Sequence, residues 1–94
     1  MYALSYTNRF EKDLKLLKKQ SINDFNLCLR FLKDELSQKG AAGLPHKYKT
    51  HKLNGIYKDN WECHIKPDLL IIWIEISNEM EIKLVRIGTH ADLF

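Results

Sequence analysis

The segment LLIIWIEI, from Leu69 to Ile76, limits the folds open to this chain more than any other stretch. It is apolar at both odd and even positions, so a strand made from it is buried on both faces and lies in the middle of a sheet. The short joins KPD and SNE on either side predict tight turns to strands at Ile56–Ile65 and Met80–Gly88. The three segments together predict an antiparallel sheet with Leu69–Ile76 at its centre.

Two amphipathic helices are predicted in the first half of the chain. Asn8 begins a capping-box pattern and predicts a helix over 8–19. A second helix starts at Ser21 or Asn23 and stops at Gly40. Apolar residues recur at helical spacing along both helices, at Phe10, Leu14, Leu17, Ile22, Phe25, Leu29, Leu32 and Leu36.

A strand at Tyr2–Tyr6 precedes the helices, and a long loop is predicted from Gly40 to Gly55. The order β-α-α-β-β-β predicts an α+β fold in which two N-terminal helices pack on one face of a mainly antiparallel sheet. The other face is expected to be partly free. Residues 1–94 are long enough for one core and too short for two, so a single domain is predicted.

Composition excludes several classes of protein. A hydrophobic share of 45% with 29% charged residues is typical of an ordinary folded domain. The longest apolar stretch, Leu69–Ile74, is far shorter than a membrane helix, and no signal peptide is evident, so a cytoplasmic protein without a membrane partner is expected. Cys28 and Cys63 lie among apolar neighbours and are predicted to be buried free thiols.

Charge is distributed unevenly along the chain. Residues 39–58 contain five lysines and no acid, whereas residues 59–94 contain seven acids against three bases. A basic segment beside an acidic half indicates a surface that holds a polyanion, although a solvated lysine-rich loop explains the charge equally well. The candidate RNA-binding residues are Lys47, Lys49, Lys52 and Lys58.

Alternation along Ile56–Ile65 separates the residues of that strand into two faces. Tyr57, Trp61, Cys63 and Ile65 are predicted on the core face, and Glu62 and His64 on the opposite face. Asp68 follows in the next turn, so His64 and Asp68 flank one hairpin.

The C-terminal segment adds Arg86, His90 and Phe94 to the candidate residues. Arg86 shares parity with Ile82 and Leu84, which places it on the core face unless a bulge near Gly88 releases it. His51 lies in the basic loop. All of these residues belong to elements of one sheet.

Histidine transfers protons near neutral pH, and arginine or lysine steadies a phosphate. RNA can be cleaved with these groups alone. An aromatic ring can stack on a base and so fix the in-line geometry of the attack on phosphorus. The alternative for each residue is ordinary: an exposed histidine is often incidental, and Asp68 is a common turn residue. Without an HxH or HxxxH pair no metal site is predicted, and no nucleotide- or hydrolase-type motif implies a cofactor.

Three segments, HKLNG (51–55), WECHIKPDLLIIW (61–73) and VRIGTHADLF (85–94), resemble the YafQ toxins of the RelE/ParE superfamily. The resemblance implies a RelE-like fold and an endoribonuclease that cuts mRNA in the A site of the 30S ribosomal subunit and is silenced by a cognate antitoxin. It implies that His90 is the general acid, that Asp68 or His51 is the base, and that Arg86 and His64 stabilise the phosphate. Phe94 would orient the nucleotide.

A second function is compatible with the same fold, because fold alone does not decide function. A ParE-like toxin would bind and inhibit DNA gyrase without cutting RNA. The histidines and Asp68 distinguish the two, since a purely binding relative does not need them. The chain has only three arginines, Arg9, Arg30 and Arg86, which favours the histidine-based branch over the arginine-rich RelE branch.

Overall fold

Five strands form one sheet in the computed structural model, which describes residues 1–94. The strands are β1 (Ala3–Tyr6), β2 (His51–Lys52), β3 (Trp61–Lys66), β4 (Leu69–Ile76) and β5 (Glu81–Gly88). Their order across the sheet is β1-β5-β4-β3-β2. β1 runs parallel to β5, and every other pair is antiparallel. β4 is the central strand, as its apolar sequence predicts.

The helices are α1 (Asn8–Gln20), α2 (Ile22–Arg30), α3 (Ser37–Gly43) and α4 (His90–Leu93), with a π-helical turn at Phe31–Leu36. Thr7 rather than Asn8 caps α1, because its side chain accepts the N–H of Phe10. Ser21 caps α2, as predicted, through the N–H of Asp24. The predicted break at Gly40 is confirmed by its φ of 64° within α3.

Apolar residues pack on both faces of the sheet. The larger core lies between the sheet and the helices α1 to α3, and it contains Phe10, Leu36, Cys63, Trp73 and Leu84 among others. A smaller cluster on the opposite face consists of Leu70, Ile72 and Leu93, with Leu53, Tyr57 and Val85 packed against it. The face expected to be free is therefore partly covered by α4 and by segment 53–57.

The prediction that Tyr57 lies on the core face is wrong. β3 begins only at Trp61, because residues Gly55–Tyr57 form a 3-10 turn instead of a strand. Gly55 has a φ of 73°, a conformation that favours glycine, and Asp59 has a φ of 68°. Strand alternation therefore does not extend back to Tyr57, and its ring packs on the opposite face.

A β-bulge in β5 decides where Arg86 lies. Ile72 pairs with Arg86 and the next residue, Trp73, pairs with Leu84, so Val85 is the extra residue. Leu84 belongs to the main core, and the bulge moves Arg86 to the face of Ile72. The sequence left open a bulge near Gly88, and the structure has one at Val85.

The predicted loop from Gly40 to Gly55 is partly structured. It contains the end of α3, a 3-10 turn at His46–Tyr48 and the two-residue strand β2. None of the helices is both long enough and apolar enough to cross a membrane.

Candidate active site

The sheet face opposite the main core, called the site face below, carries most of the predicted site residues. Strand pairing aligns one row across four strands, formed by His51, Glu62, Ile72 and Arg86. Directly paired residues share a face of the sheet. Neighbouring strands lie about 4.8 Å apart, so this row spans about 14 Å between backbones. His64 lies in the next row.

Arg86 is held from two sides. Its Nε atom donates to Oδ2 of Asp13 at 2.7 Å and its Nη2 atom donates to Oδ1 at 3.3 Å, while Nη1 donates to the Tyr57 hydroxyl at 3.3 Å. The hydrogen bond with Asp13 raises the pKa of Arg86, so the guanidinium stays cationic. Only 13% of the Arg86 side chain is exposed. The cation is therefore fixed in place before any substrate arrives.

Asp13 occupies the part of the β5 edge that β1 leaves open. β1 pairs with β5 only as far as Leu84, and α1 begins two residues after β1 ends. The backbone N–H of Ile87 donates to Oδ2 of Asp13 at 3.1 Å. One carboxylate thus satisfies an edge N–H group and orients Arg86.

The C-terminal residues form a short ordered helix, α4. Thr89 and Asp92 make a capping box at its start. The backbone N–H of His90 donates to Oδ1 of Asp68 at 3.1 Å, so the β3–β4 turn also holds the first turn of α4. The contact joins the backbone of His90, and not its imidazole, to the Asp68 carboxylate.

Phe94 lies beside the imidazole of His90, with ring centroids 5.0 Å apart. It also contacts the edge of Tyr57 at 5.6 Å. About half of Phe94, 53%, is exposed. The ring therefore has support on one side and a free surface on which a base can stack.

His51 and His64 meet at a buried carboxylate, that of Glu62. Nε2 of His51 lies 3.3 Å and Nε2 of His64 lies 3.7 Å from Oε1 of Glu62, whose side chain is only 4% exposed. Oε2 of Glu62 is buried and has no hydrogen-bond partner. A buried carboxylate is costly unless polar or positive groups face it, and the two imidazoles are the groups that face Glu62.

The ring of His51 has an acceptor at each nitrogen. Nδ1 lies 2.8 Å from the carbonyl oxygen of Lys49, and Nε2 faces Glu62. A neutral imidazole carries only one N–H, so His51 can donate to both acceptors only as an imidazolium. Both ring nitrogens of His51 thus face acceptors, which fixes the orientation of the ring.

The site residues form two groups on one face. Arg86, His90, Asp68 and Phe94 are connected through Tyr57 and α4, and His51 and His64 are connected through Glu62. No hydrogen bond or ion pair joins the two groups. The apolar side chains of Leu70, Ile72 and Leu93 lie between them. A substrate that reaches both groups has to lie across this apolar floor.

The four candidate RNA-binding lysines do not share one surface. Lys47 and Lys49 line a cavity together with His64. Lys52 does not lie on the site face. The residue before it, His51, is on that face, and the ammonium of Lys52 lies over the Trp61 ring at 5.3 Å. Lys58 follows the Gly55–Tyr57 turn. The structure contains no group of three His, Cys, Asp or Glu side chains placed to hold a metal ion.

Sequence reasoning overlooked three contributors, Glu62, Tyr57 and Asp13. Glu62 was detectable, because it shares strand parity with His64 and a carboxylate beside a histidine can orient it. Tyr57 was assigned to the wrong face by extending the strand too far. Asp13 lies 73 residues from Arg86 in the chain, and no local pattern links the two.

A helix-backed mixed sheet with a histidine- and arginine-bearing face defines a small α+β domain of the RelE-like kind. A family model described as "Bacterial toxin of type II toxin-antitoxin system, YafQ" matches residues 2–94. The mRNA interferase toxin YafQ of Escherichia coli K12 is 33% identical over 91 residues, which are 97% of this chain and 94% of that protein. The chain therefore belongs to the YafQ toxin family, as its motifs predicted.

Solved structures agree with this membership. A metal-bound toxin from Helicobacter pylori matches with a TM-score of 0.82 and 39% identity, covering 100% of both chains. The toxin in the E. coli DinJ-YafQ complex matches with a TM-score of 0.74 and 28% identity, covering 100% of this chain and 99% of that chain. The predicted RelE-like α+β fold is confirmed by these likenesses.

Proposed function

We propose that this toxin is a ribosome-dependent, metal-independent endoribonuclease that cuts mRNA by general acid–base catalysis. Curated relatives bear the name mRNA interferase toxin, which supports an enzyme that acts on RNA. The observation that carries the proposal is the ordered C-terminus: His90 and Phe94 contact each other and are tied to the sheet through Asp68 and Tyr57. A chain end held in this way suits a reacting group that needs a fixed position.

The reaction we assign is attack by the ribose 2′-hydroxyl on the adjacent phosphate. A base takes the 2′-hydroxyl proton, O2′ forms a bond to phosphorus, and the bond from phosphorus to the 5′-oxygen breaks. An acid gives its proton to that 5′-oxygen. The products carry a 2′,3′-cyclic phosphate and a 5′-hydroxyl, and neither proton transfer requires a metal ion.

His90 is assigned as the general acid and Asp68 as the general base, with His51 as the alternative base. Oδ1 of Asp68 accepts the N–H of His90, which leaves Oδ2 to take a proton. Nε2 of His51 faces Glu62, so His51 can act as a base only after losing that contact. The geometry therefore favours Asp68.

Arg86 and His64 are assigned to the phosphate. Arg86 uses three of its five N–H groups on Asp13 and Tyr57, which leaves two for phosphate oxygens. His64 faces Glu62, and as an imidazolium it adds a second positive group. Phe94 is assigned to stacking on the base, and Glu62 to orienting both histidines.

The partners we propose are a cognate antitoxin, mRNA and the A site of the 30S ribosomal subunit. Structures of the E. coli relative in a DinJ-YafQ toxin-antitoxin complex support the antitoxin. The ribosome would hold single-stranded mRNA along a fixed path. Such a path suits a site face on which the two sets of site residues are separated by the apolar side chains of Leu70, Ile72 and Leu93. A cytoplasmic location follows from these partners.

The test is a reconstituted translation reaction with a defined mRNA, to which purified toxin is added after dialysis against a chelator. We expect cuts at discrete codons with only the Mg²⁺ that ribosomes require. We expect His90→Ala and Asp68→Ala together to abolish them, while Lys12→Ala on the exposed side of α1 serves as the matched control. Recovery of cutting only after Zn²⁺ or Cu²⁺ is added would refute the metal-independent mechanism.

The gyrase alternative predicts a different result in cells. Growth arrest with intact mRNA and damaged DNA would contradict the endoribonuclease proposal and would support a ParE-like toxin that inhibits DNA gyrase. Arrest with cleaved mRNA, relieved by the antitoxin, is the outcome expected here.

A further inference from the structure

A basic cavity adjoins the site face at His64. It has a volume of about 500 Å³ and is called the lysine pocket below. Its wall carries three lysines and no acid, and its lining consists of Leu27, Lys47, Tyr48, Lys49, His64, Ile65, Lys66 and Pro67. The cavity brings the candidate RNA-binding residues Lys47 and Lys49 together with Lys66, which has no role assigned so far.

The opposite side of the β3–β4 hairpin has the opposite charge. A cavity of about 220 Å³ there is lined by four aspartates, Asp13, Asp24, Asp68 and Asp92, with two arginines. Pro67 lines one cavity and the next residue, Asp68, lines the other. A polyanion on the site face is therefore attracted toward the three lysines of the lysine pocket.

Lys66 is available to an anionic ligand. Its ammonium pairs with Asp24 at 2.8 Å, but the Lys66 side chain is 48% exposed. An ion pair this exposed is weak, so a phosphate can replace Asp24 as the partner of the Lys66 ammonium. Lys47 and Lys49 make no ion pair, which leaves both cations uncompensated.

Tyr48 offers an aromatic surface in the same cavity. Its ring packs edge-on against Phe31 at 5.0 Å, which fixes its orientation. The ammonium of Lys47 covers the ring at 5.2 Å. Stacking of a base on a tyrosine ring is stronger than the contact of an exposed ammonium with that ring. A nucleotide base can therefore replace the Lys47 ammonium on Tyr48, and the ammonium can then bind the phosphate of the same nucleotide.

We propose that the lysine pocket binds the nucleotide next to the scissile one in single-stranded mRNA, with its phosphate on Lys47 and Lys66 and its base on Tyr48. His64 connects the two sites, because it lines the pocket and lies 3.7 Å from Glu62 on the site face. The inference rests on the proposed endoribonuclease function and adds a defined subsite to it.

The first test is binding of a fluorescein-labelled oligonucleotide with 2′-O-methyl riboses, which cannot be cleaved, followed by anisotropy from 50 to 300 mM salt. Each lost phosphate contact lowers the slope of log affinity against log salt by about 0.7 for a single strand. We expect Lys47→Gln with Lys66→Gln, which together remove the contact with one phosphate, to lower the slope by about 0.7. The matched control, Lys12→Gln with Lys15→Gln on α1, removes the same charge and should leave the slope unchanged.

Tyr48→Leu separates stacking from charge. We expect it to weaken binding about fivefold or more with no change in the salt slope. If this variant does not fold, the lysine pair alone decides. Equal slope changes in the pocket variant and the α1 control would overturn the proposal, since they would mean diffuse attraction rather than a subsite.

Two further arms identify the occupant. An mRNA with 4-thiouridine beside the cut codon and a 2′-deoxyribose at the cut position should crosslink to the wild-type toxin and not to the lysine-pair variant. Crosslinking that the variant retains would mean that the flanking mRNA nucleotide lies elsewhere, and would overturn the proposal. If the pair variant loses affinity for an oligoglutamate peptide but not for the oligonucleotide, the occupant is an acidic protein segment.

Failure of the subsite differs from failure of the enzyme. A wild-type toxin that cuts mRNA while the pocket variants bind RNA normally would refute only the subsite. A wild-type toxin that cuts no mRNA would refute the proposed function itself.

Discussion

Asp68 is the residue on which the catalytic assignment depends most. It caps the backbone N–H of His90 through Oδ1 and is proposed to accept the substrate proton at Oδ2. Asparagine keeps a carbonyl oxygen for the first role and loses the second. We expect Asp68→Asn to slow mRNA cleavage about 100-fold or more, with unchanged thermal unfolding. If Asp68→Asn keeps its activity and His51→Gln loses it, His51 is the base.

Tyr57 gives a second prediction, because it supports Arg86 with its hydroxyl and Phe94 with its ring. Tyr57→Phe removes only the hydrogen bond, which is worth about 1 kcal/mol, so we expect cleavage to slow about fivefold. Tyr57→Ala also removes the support of Phe94 and should slow cleavage further. Single-turnover cleavage at saturating toxin measures both variants. Equal rates for the two would mean that the ring contributes nothing.

Among the secondary-structure elements, the apolar strands were the most predictable. Leu69–Ile76 was predicted with its observed bounds, and the strand ending at Gly88 differs by one residue at its start. Elements that depend on backbone irregularity were not predictable. The bulge at Val85 is visible only when the Trp73–Leu84 and Ile72–Arg86 pairs are known.

The short elements around the site were missed for related reasons. α4 is too short for a helical hydrophobic period to be detected. The two-residue strand β2 has no pattern of its own and exists through its pairing with β3. These elements carry His90 and His51, so the sequence predicted the site residues from their chemical types and motifs, and their geometry only in part.

The helix break at Gly40 leads to a prediction about stability. A Cβ atom added there would lie 2.7 Å from Cε2 of Tyr2, and φ is 64°. We expect Gly40→Ala to lower the free energy of unfolding by about 2–4 kcal/mol, since strain and a clash add together. Gly55→Ala is the control: φ is 73° but no atom lies within 4 Å, so only about 1 kcal/mol is expected. Urea unfolding compares the two, and equal losses would contradict the clash.

At the scale of the whole molecule, the two faces of the sheet pack against two apolar clusters that have different roles. The larger core between the sheet and helices α1 to α3 provides most of the apolar burial. In the smaller cluster, Leu93 of α4 packs against Leu70 and Ile72 on the opposite face. This packing positions the C-terminal site residues. Stability and activity can therefore be perturbed separately, by substitutions on opposite faces of the same strands.

The main core contains both cysteines as free thiols, and they make the stability of the whole domain depend on pH. Burial raises the pKa of Cys28 from 9.0 to about 12, and it also raises the pKa of Cys63. Between pH 9 and 12 the unfolded chain loses thiol protons that the folded chain keeps, so the free energy of unfolding falls as pH rises, by about 1.4 kcal/mol per pH unit for each thiol. Below pH 9 both states are protonated and the effect vanishes.

Cys28→Ala isolates this contribution, because the lysines and tyrosines titrate alike in both proteins. We expect urea unfolding with reductant at pH 8, 9 and 10 to give a steeper decline for the wild type than for the variant, whatever stability the variant loses at pH 8. Two parallel declines would mean that the folded thiol ionises as readily as the unfolded one. That result would contradict the sealed core on which the packing of α2 against β3 depends.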